Sequence, residues 1–157
     1  MNNEDNGYVL KTVDGKGEGV FTIKPFHVGE TVMIGIIEKV FDGTTPHSSQ
    51  IGKNTHVQHA GMISKVNHSC MPNCGIRVNE TGGHDFVAMK DINPGEEITF
   101  DYAMRNYHVD HFPKQCRCGS AQCRGEITGW KSLPAERKQA YKGFVAPYLL
   151  EMDKEIL

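Results

Sequence analysis

The stretch NHSCMPNC, residues 67–74, holds two cysteines, a histidine and a proline within eight residues. A second dense stretch, CRCGSAQC, occupies residues 116–123, and these two islands contain all five cysteines of the chain. An odd number of cysteines, together with an acidic and polar start (MNNEDNGYVL), is not the pattern of a secreted disulfide framework. We therefore expect an intracellular, reducing compartment, nuclear or cytoplasmic, and interpret the islands as a metal site.

The second island has the spacing C-x-C-x4-C, formed by Cys116, Cys118 and Cys123. Thiols this close suit a tetrahedral ion better than a disulfide, whose geometry across one residue is strained. Zinc takes four ligands, so a fourth must come from elsewhere, and the NHSC island is the obvious donor. The alternative, ordinary buried or unligated thiols, does not explain three cysteines in eight residues.

Two further groups of side chains compete for a place at this site. Cys74 is a lone cysteine and is expected to be a small apolar residue in a packed site. His108 and His111 lie near the second island, but a fourth thiolate makes them unnecessary as ligands.

The composition predicts one globular domain, since 157 residues with 38% hydrophobic and 23% charged residues suffice for an ordinary core. A formal net charge of −2 gives no sign of a general polyanion binder, so we expect no direct nucleic-acid binding. No apolar run reaches the roughly 18 residues that a membrane span needs, so no membrane partner is expected.

The pattern along the chain predicts a β-rich domain followed by a helical tail. YVLKTV, GVFTI and ETVMIGIIEKVF, within residues 8–41, have strand composition, and residues 41–54 are polar enough for a surface excursion. GIRVNETGGHDFVAMKDI indicates a hairpin, and Pro94 and Gly95 suit a type II turn. After Ser132 the apolar residues recur at helical spacing, with a break expected near Gly143 because Pro147 lies inside the pattern.

Two shorter features do not indicate a function when each is considered alone. EITFDY is expected to be a strand with Phe100 and Tyr102 on one face, which alone would indicate core residues. DGKGEGVFT, residues 14–22, has glycines at alternate positions, so its backbone can approach a ligand closely, but alone it indicates a β-turn.

In order, GKGEGVF, NHSCMPNC, GEEITFDY and CRCGSAQCRG resemble the SET-domain protein lysine methyltransferases, specifically small stand-alone members with a post-SET zinc segment. The resemblance covers roughly residues 8–130. It implies a mostly β fold of small curved sheets with a pseudoknot, a post-SET zinc knuckle and a C-terminal helical tail. The implied division is a SET domain at 8–112 with a surface insert at about 42–55, a post-SET segment at 113–130 and the tail at 131–157.

The resemblance also implies roles for individual residues. Cys70 joins the three distal cysteines as the four ligands of a structural Zn²⁺. Tyr102 matches the catalytic tyrosine, and Phe100 matches the position that tunes how many methyl groups are added. The residues implied to bind S-adenosylmethionine are Gly17, Glu18, Gly19, Asn67, His68, Tyr102 and, past the knuckle, Ile127.

The implied reaction is methylation of the ε-amine of a protein lysine, on a histone tail or another basic peptide, by a monomer or homodimer. Phenylalanine at position 100 leaves room for added methyl groups, so di- or trimethyl-lysine is expected. The sequence departs from the family pattern before NHSC, where Ser64, Lys65 and Val66 replace the frequent Arg-Phe-Ile or Arg-Phe-Phe.

Two other functions are compatible with parts of the same pattern. The departure at 64–66 favours a catalytically inactive, zinc-stabilised protein-binding module, whereas Tyr102 and the Asn67–His68 pair argue against it. A thiol hydrolase using Cys70 and His68 is disfavoured, because residues two apart in a short turn seldom bring nucleophile and base within hydrogen-bonding reach. Cys70 is also better explained as a zinc ligand than as a nucleophile.

Overall fold

The computed structural model describes residues 4–5, 7–14, 17–42, 48–109 and 115–155. These residues form four small β-sheets, three short 3₁₀ helices and two α-helices. No helix among them is long and apolar enough to cross a lipid bilayer.

In the described residues, eleven strands make up the four sheets. They are β1 (Glu4–Asp5), β2 (Tyr8–Val13) and β3 (Gly17–Thr22); β4 (Thr31–Met33), β10 (His84–Ala88) and β9 (Cys74–Val78); β5 (Ile37–Phe41), β7 (Thr55–His59) and β6 (Ser49–Gly52); and β8 (Asn67–His68) with β11 (Thr99–Phe100). The 3₁₀ helices are Gly61–Lys65, Tyr102–Met104 and Trp130–Ser132, and the α-helices are α1 (Ala135–Ala140) and α2 (Pro147–Glu155).

Pairing between strands is antiparallel except in the smallest sheet, which brings the site together. There Asn67 pairs with Thr99 and His68 with Phe100 in parallel, and the Ser69 N–H donates to the Phe100 carbonyl at 3.0 Å. The NHSC island and the EITFDY segment are therefore neighbours in the fold although far apart in sequence.

The two predicted turns of the β region are confirmed. β9 and β10 form the expected hairpin, with Gly82 at φ +90° in its turn. In the Pro94–Gly95 turn the Glu96 N–H donates to the Asn93 carbonyl at 3.1 Å. Gly95 has φ +91°, as the third position of a type II turn requires.

The run ETVMIGIIEKVF forms two strands, not one. β4 ends at Met33 and β5 begins at Ile37. Between them Gly35 lies so close to β10 that a Cβ atom there would be 2.1 Å from the His84 carbonyl oxygen. The chain can cross the sheet edge at this point only because residue 35 is glycine.

The second half of the predicted surface excursion forms a strand of a sheet. Residues 43–47 lie outside the described residues, but β6 is paired with β7. Gln50 in β6 is only 4% exposed, and its Oε1 accepts the Tyr107 N–H at 2.8 Å. Its polar side chain is buried because that long-range hydrogen bond satisfies it.

The strand in the EITFDY segment is shorter than predicted. β11 stops at Phe100, and Tyr102 begins a 3₁₀ helix because the Asp101 carboxylate accepts the Ala103 N–H at 3.0 Å. The expectation that Phe100 and Tyr102 share one strand face is therefore wrong. Their rings still contact each other, with centroids 5.0 Å apart.

The helical tail has the predicted break and packs on the domain. Gly143 adopts φ +88° between α1 and α2, and Pro147 occupies the first position of α2, where its missing N–H costs nothing. Leu149 is fully buried in the core. Asp153 accepts hydrogen bonds from the Trp130 Nε1 and the Tyr107 hydroxyl at 2.7 and 3.0 Å, which fixes α2 to the segment after the second cysteine island.

Candidate active site and thiolate cluster

Four of the five cysteines meet at one point. The Sγ atoms of Cys70, Cys116, Cys118 and Cys123 all lie within 4.8 Å of one another. The chain reaches this arrangement through a tight loop, in which the Cys116 N–H donates to the Gly125 carbonyl at 2.9 Å and the Cys123 N–H to the Ser120 carbonyl at 3.2 Å. The predicted ligand set is thus assembled by the fold.

The cluster fits a tetrahedral zinc ion. Zn–S bonds of about 2.3 Å place neighbouring sulfurs about 3.8 Å apart, and the Cys70 and Cys116 Sγ atoms are 3.7 Å apart. Hydrogen-bond donors surround the sulfurs as in metal–thiolate sites: the Arg124 N–H is 3.3 Å from the Cys70 Sγ, and the Gly125 N–H is 3.4 Å from the Cys123 Sγ.

The cysteines of the cluster differ in acidity: burial raises the pKa of Cys70 and of Cys116, whereas the pKa of Cys118 is lowered. Burial opposes ionisation of Cys118, but hydrogen bonds, led by that of the Ser120 hydroxyl at 3.2 Å, lower its pKa to about 6. Cys74 is different: it is fully buried in the apolar core and burial raises its pKa to about 12, as expected for a packing residue. His108 is exposed and outside the cluster, and His111 lies outside the described residues.

The glycine-rich segment packs directly on the NHSC island. The Asn67 Nδ2 donates to the Glu18 carbonyl and to the Glu97 Oε2, both at 2.9 Å. A Cβ atom on Gly19 would lie 2.7 Å from that carboxylate and 3.0 Å from the Asn67 Nδ2, so a larger residue would have to displace these side chains. Gly17 is exposed with φ +78° and open space beside it, so its backbone is accessible to a ligand.

The predicted catalytic residues lie beside this segment in one aromatic group. The Tyr102 ring centroid is 5.0 Å from that of Phe100 and 5.1 Å from that of His68. Phe100 is fully buried, and its ring also contacts Phe86, with centroids 4.8 Å apart. Burial raises the pKa of Tyr102, with nearby Arg105 opposing, so its phenol is protonated at neutral pH.

His68 lies closer to Cys70 than the sequence argument allowed. Its Nε2 is 3.5 Å from the Cys70 Sγ, and its Nδ1 accepts the Tyr102 N–H at 3.1 Å. The geometric objection to a thiol–imidazole pair is therefore wrong, because the parallel pairing of β8 and β11 turns the ring toward the sulfur. Cys70 nevertheless belongs to the four-sulfur cluster, which leaves no separate nucleophile.

A cavity of about 410 Å³ opens beside Tyr102, and its walls include Ser64, Lys65, Val66 and Arg105. Its volume lies in the range of small-molecule sites. Lys65, part of the departure from the family pattern, is 3.4 Å from the Glu18 carboxylate, an exposed ion pair of small energetic weight.

Arg105 is a wall residue that the sequence did not single out. Its guanidinium stacks on Phe100 at 4.5 Å, and burial lowers its pKa to about 10. Among the described residues its Nε and Nη1 have no hydrogen-bond partner. The nearest sequence signal was its position three residues after Tyr102.

Ile127 is placed apart from the other predicted cofactor residues. It is half-buried and lines a second cavity of about 240 Å³ together with Tyr107, His108 and Thr128. Its role as a cover for the cofactor stays a prediction.

Two buried histidines, one of which (His59) lines the cavity beside Tyr102, predict a pH-dependent stability. His59 and His84 have ring centroids 5.5 Å apart, and burial, with Arg105 adding to it, lowers the pKa of His59 to about 3 and that of His84 well below its usual value. Above about pH 6.5 neither the folded nor the unfolded chain protonates these two histidines, so they do not lower the free energy of unfolding there. Below it only the unfolded chain is protonated, so each histidine should lower the free energy of unfolding by about 1.4 kcal/mol per pH unit.

This prediction is checked by denaturant unfolding at several pH values between 7.5 and 5. His84→Phe should remove about half of the slope below pH 6.5, whereas replacing the exposed His27 by glutamine should leave it unchanged. An unaltered slope in His84→Phe would contradict this origin.

Comparison with known proteins gives one consistent result. The model of the SET domain matches residues 17–103. The histone-lysine N-methyltransferase ASHH2 of Arabidopsis thaliana is 34% identical over 138 residues, 78% of this chain and 8% of that protein. The H3 lysine-9 specific histone-lysine N-methyltransferase of Schizosaccharomyces pombe is 38% identical over 92 residues, 46% of this chain and 19% of that protein.

A solved structure, KRYPTONITE in complex with mCHH DNA, an H3(1-15) peptide and SAH, has a similar fold. Its TM-score is 0.60 at 22% identity, over 75% of this chain and 29% of that one. The chain spans less than a fifth of the length of the two curated relatives.

Proposed function

The chain belongs to the SET-domain family, and we propose on that premise that it is an S-adenosylmethionine-dependent methyltransferase of protein lysine ε-amines. The observation that carries the proposal is the contact of Tyr102 with both Phe100 and His68, beside the segment where Asn67 meets Glu18. The relatives are histone-lysine N-methyltransferases by name, so a histone tail or similar basic peptide is the proposed substrate.

The residues that would hold the methyl donor are the exposed Gly17 and Glu18, the buried Gly19 next to them, the Asn67–His68 segment and Tyr102. They fit it because Gly17 offers accessible backbone and the cavity lined by Tyr102 has the volume of a ligand site. Bound S-adenosylmethionine supplies a methyl group on a positively charged sulfur for in-line displacement by an amine, so alignment of the amine is the main contribution of the chain.

The aromatic group would prepare the lysine side chain. The pKa of a lysine is near 10.4 in water, and surroundings as dry as those of Phe100 favour its uncharged form. Tyr102 keeps its phenolic proton, since burial raises its pKa. It therefore orients the amine by a hydrogen bond and does not act as a strong base.

The thiolate cluster would hold a structural Zn²⁺ through Cys70, Cys116, Cys118 and Cys123. An ion there fastens the distal segment to the NHSC island and thereby excludes water from the aromatic group. The need for reduced thiolates supports an intracellular, reducing location. We keep the boundaries 8–112, 113–130 and 131–157 as the proposed functional division, and a monomer or homodimer as the assembly.

The product is proposed to be di- or trimethyl-lysine, because Phe100 places no hydroxyl beside the amine. Phe100→Tyr should shift the product toward monomethyl-lysine, since a phenolic oxygen there binds the amine or a water and occupies the space of added methyl groups. Mass spectrometry of a methylated peptide measures this. Phe21→Tyr on β3 is the matched control, and equal product distributions for Phe100→Tyr and wild type would refute the assignment.

The second candidate is an inactive, zinc-stabilised binding module, favoured by Ser64, Lys65 and Val66. Calorimetry separates the two, because the methyltransferase should bind S-adenosylmethionine with micromolar or tighter affinity and the module should not. The proposed activity itself is tested with radiolabelled S-adenosylmethionine on histones and a whole-cell extract, followed by mapping of the labelled lysine. Absence of label on any protein, with the donor bound, would reject the enzyme.

A further inference from the structure

Asp101 connects the helix that carries Tyr102 to two other parts of the chain. It is fully buried and immediately precedes Tyr102. Its Oδ1 accepts the Ala103 N–H at 3.0 Å and so starts the Tyr102–Met104 helix. Its Oδ2 accepts the hydroxyl of Tyr141, from the end of α1, at 2.8 Å.

Arg124 joins this carboxylate to the thiolate cluster. Its guanidinium binds Asp101 through both terminal nitrogens, Nη1 at 2.7 Å from Oδ2 and Nη2 at 3.0 Å from Oδ1. Its backbone N–H donates to the Cys70 Sγ at 3.3 Å. Asp101 is fully buried and the Arg124 side chain is 13% exposed. A bidentate arginine–carboxylate pair fixes orientation as well as distance, so a shift of Arg124 must displace Asp101.

His68 gives a second, parallel connection. Its Nδ1 accepts the Tyr102 N–H and lies 3.5 Å from the Asp101 Oδ1, and its Nε2 faces the Cys70 Sγ at 3.5 Å. The backbone on both sides of Tyr102 is therefore held by groups that contact the same sulfur. An ion would add metal–sulfur bonds to the weak sulfur contacts that join the distal cysteines to Cys70.

We propose that Arg124 and Asp101 are positioning residues that make the placement of Tyr102 depend on metal in the thiolate cluster. The physical link rests on the contacts above, and its catalytic consequence rests on the proposed methyltransferase function. A merely structural pair would stabilise the fold without conveying the state of the cluster to Tyr102.

The test is ¹⁹F NMR of zinc-loaded full-length protein labelled with 3-fluorotyrosine, with the Tyr102 resonance identified by its loss in Tyr102→Phe. In the wild type, chelation should move this resonance by more than its linewidth. In Arg124→Met the resonance should start displaced, and most of the chelator-induced shift should be lost. The matched control is Arg117→Met, because Arg117 lies between two of the cysteines with an exposed side chain, and it should behave as wild type.

Arg124→Lys keeps a cation beside Asp101 but loses the two-pronged geometry, so it should fold, retain zinc and still lose most of the shift. Its kcat should fall roughly 100-fold, as expected for a misplaced catalytic group, with little change in KM. A wild-type-sized shift in both Arg124 variants, or no shift in the wild type, would overturn the inference. A chelator shift of Tyr102 in a wild type that methylates nothing would reject the proposed function and leave the inference standing.

Discussion

Tyr102→Phe is expected to lower kcat by at least about 100-fold while leaving the protein folded and able to bind S-adenosylmethionine. The phenyl ring keeps its packing against Phe100 and His68, but the hydroxyl that orients the amine is gone. Steady-state kinetics with a histone peptide and calorimetry with the methyl donor measure the two effects separately.

Tyr107→Phe is the matched control for this variant. Its hydroxyl also makes a hydrogen bond, to Asp153 at 3.0 Å, but that bond holds α2 in place. The control should lose about 1 kcal/mol of stability and keep its kcat. Wild-type turnover in Tyr102→Phe would remove the tyrosine from the proposed mechanism.

Loss of the metal is expected to have an equally large effect. Cys123→Ser should weaken zinc binding by at least about 100-fold, if binding free energy is shared among four ligands. Methyl transfer should then be abolished, because the distal segment is no longer fastened beside the aromatic group. Zinc content, activity and hydrogen exchange of residues 115–155 are the measurements.

Cys74→Ala provides the comparison within the same residue type. Cys74 is fully buried among apolar residues, so its loss should lower stability modestly and leave zinc content and activity intact. Normal turnover by chelated wild-type protein would show that the ion does not complete the site.

The thiolate cluster was predictable because few structures need cysteines at C-x-C-x4-C spacing. The hairpin and the break near Gly143 were predictable for a similar reason, since both depend on local turn chemistry at Gly82 and Pro147. In each case the decisive residues are close together in the sequence.

The missed features depend on partners distant in the chain. The polar sequence around Gln50 predicted a surface residue, but Gln50 is buried because the distant Tyr107 N–H satisfies its Oε1. Nothing local indicated that Arg124 would reach Asp101. Tyr102 lies in a 3₁₀ helix and not in the predicted strand, because Asp101 caps the helix there. The alternation of apolar and polar residues in EITFDY does not indicate this cap.

X-ray absorption at the zinc edge of the purified chain tests the central claim most directly, because it reports the ligands of the ion that unites the two cysteine islands. The account predicts one zinc per chain with four sulfur neighbours at about 2.3 Å. Nitrogen or oxygen ligands in place of sulfur, or no stoichiometric zinc, would contradict it.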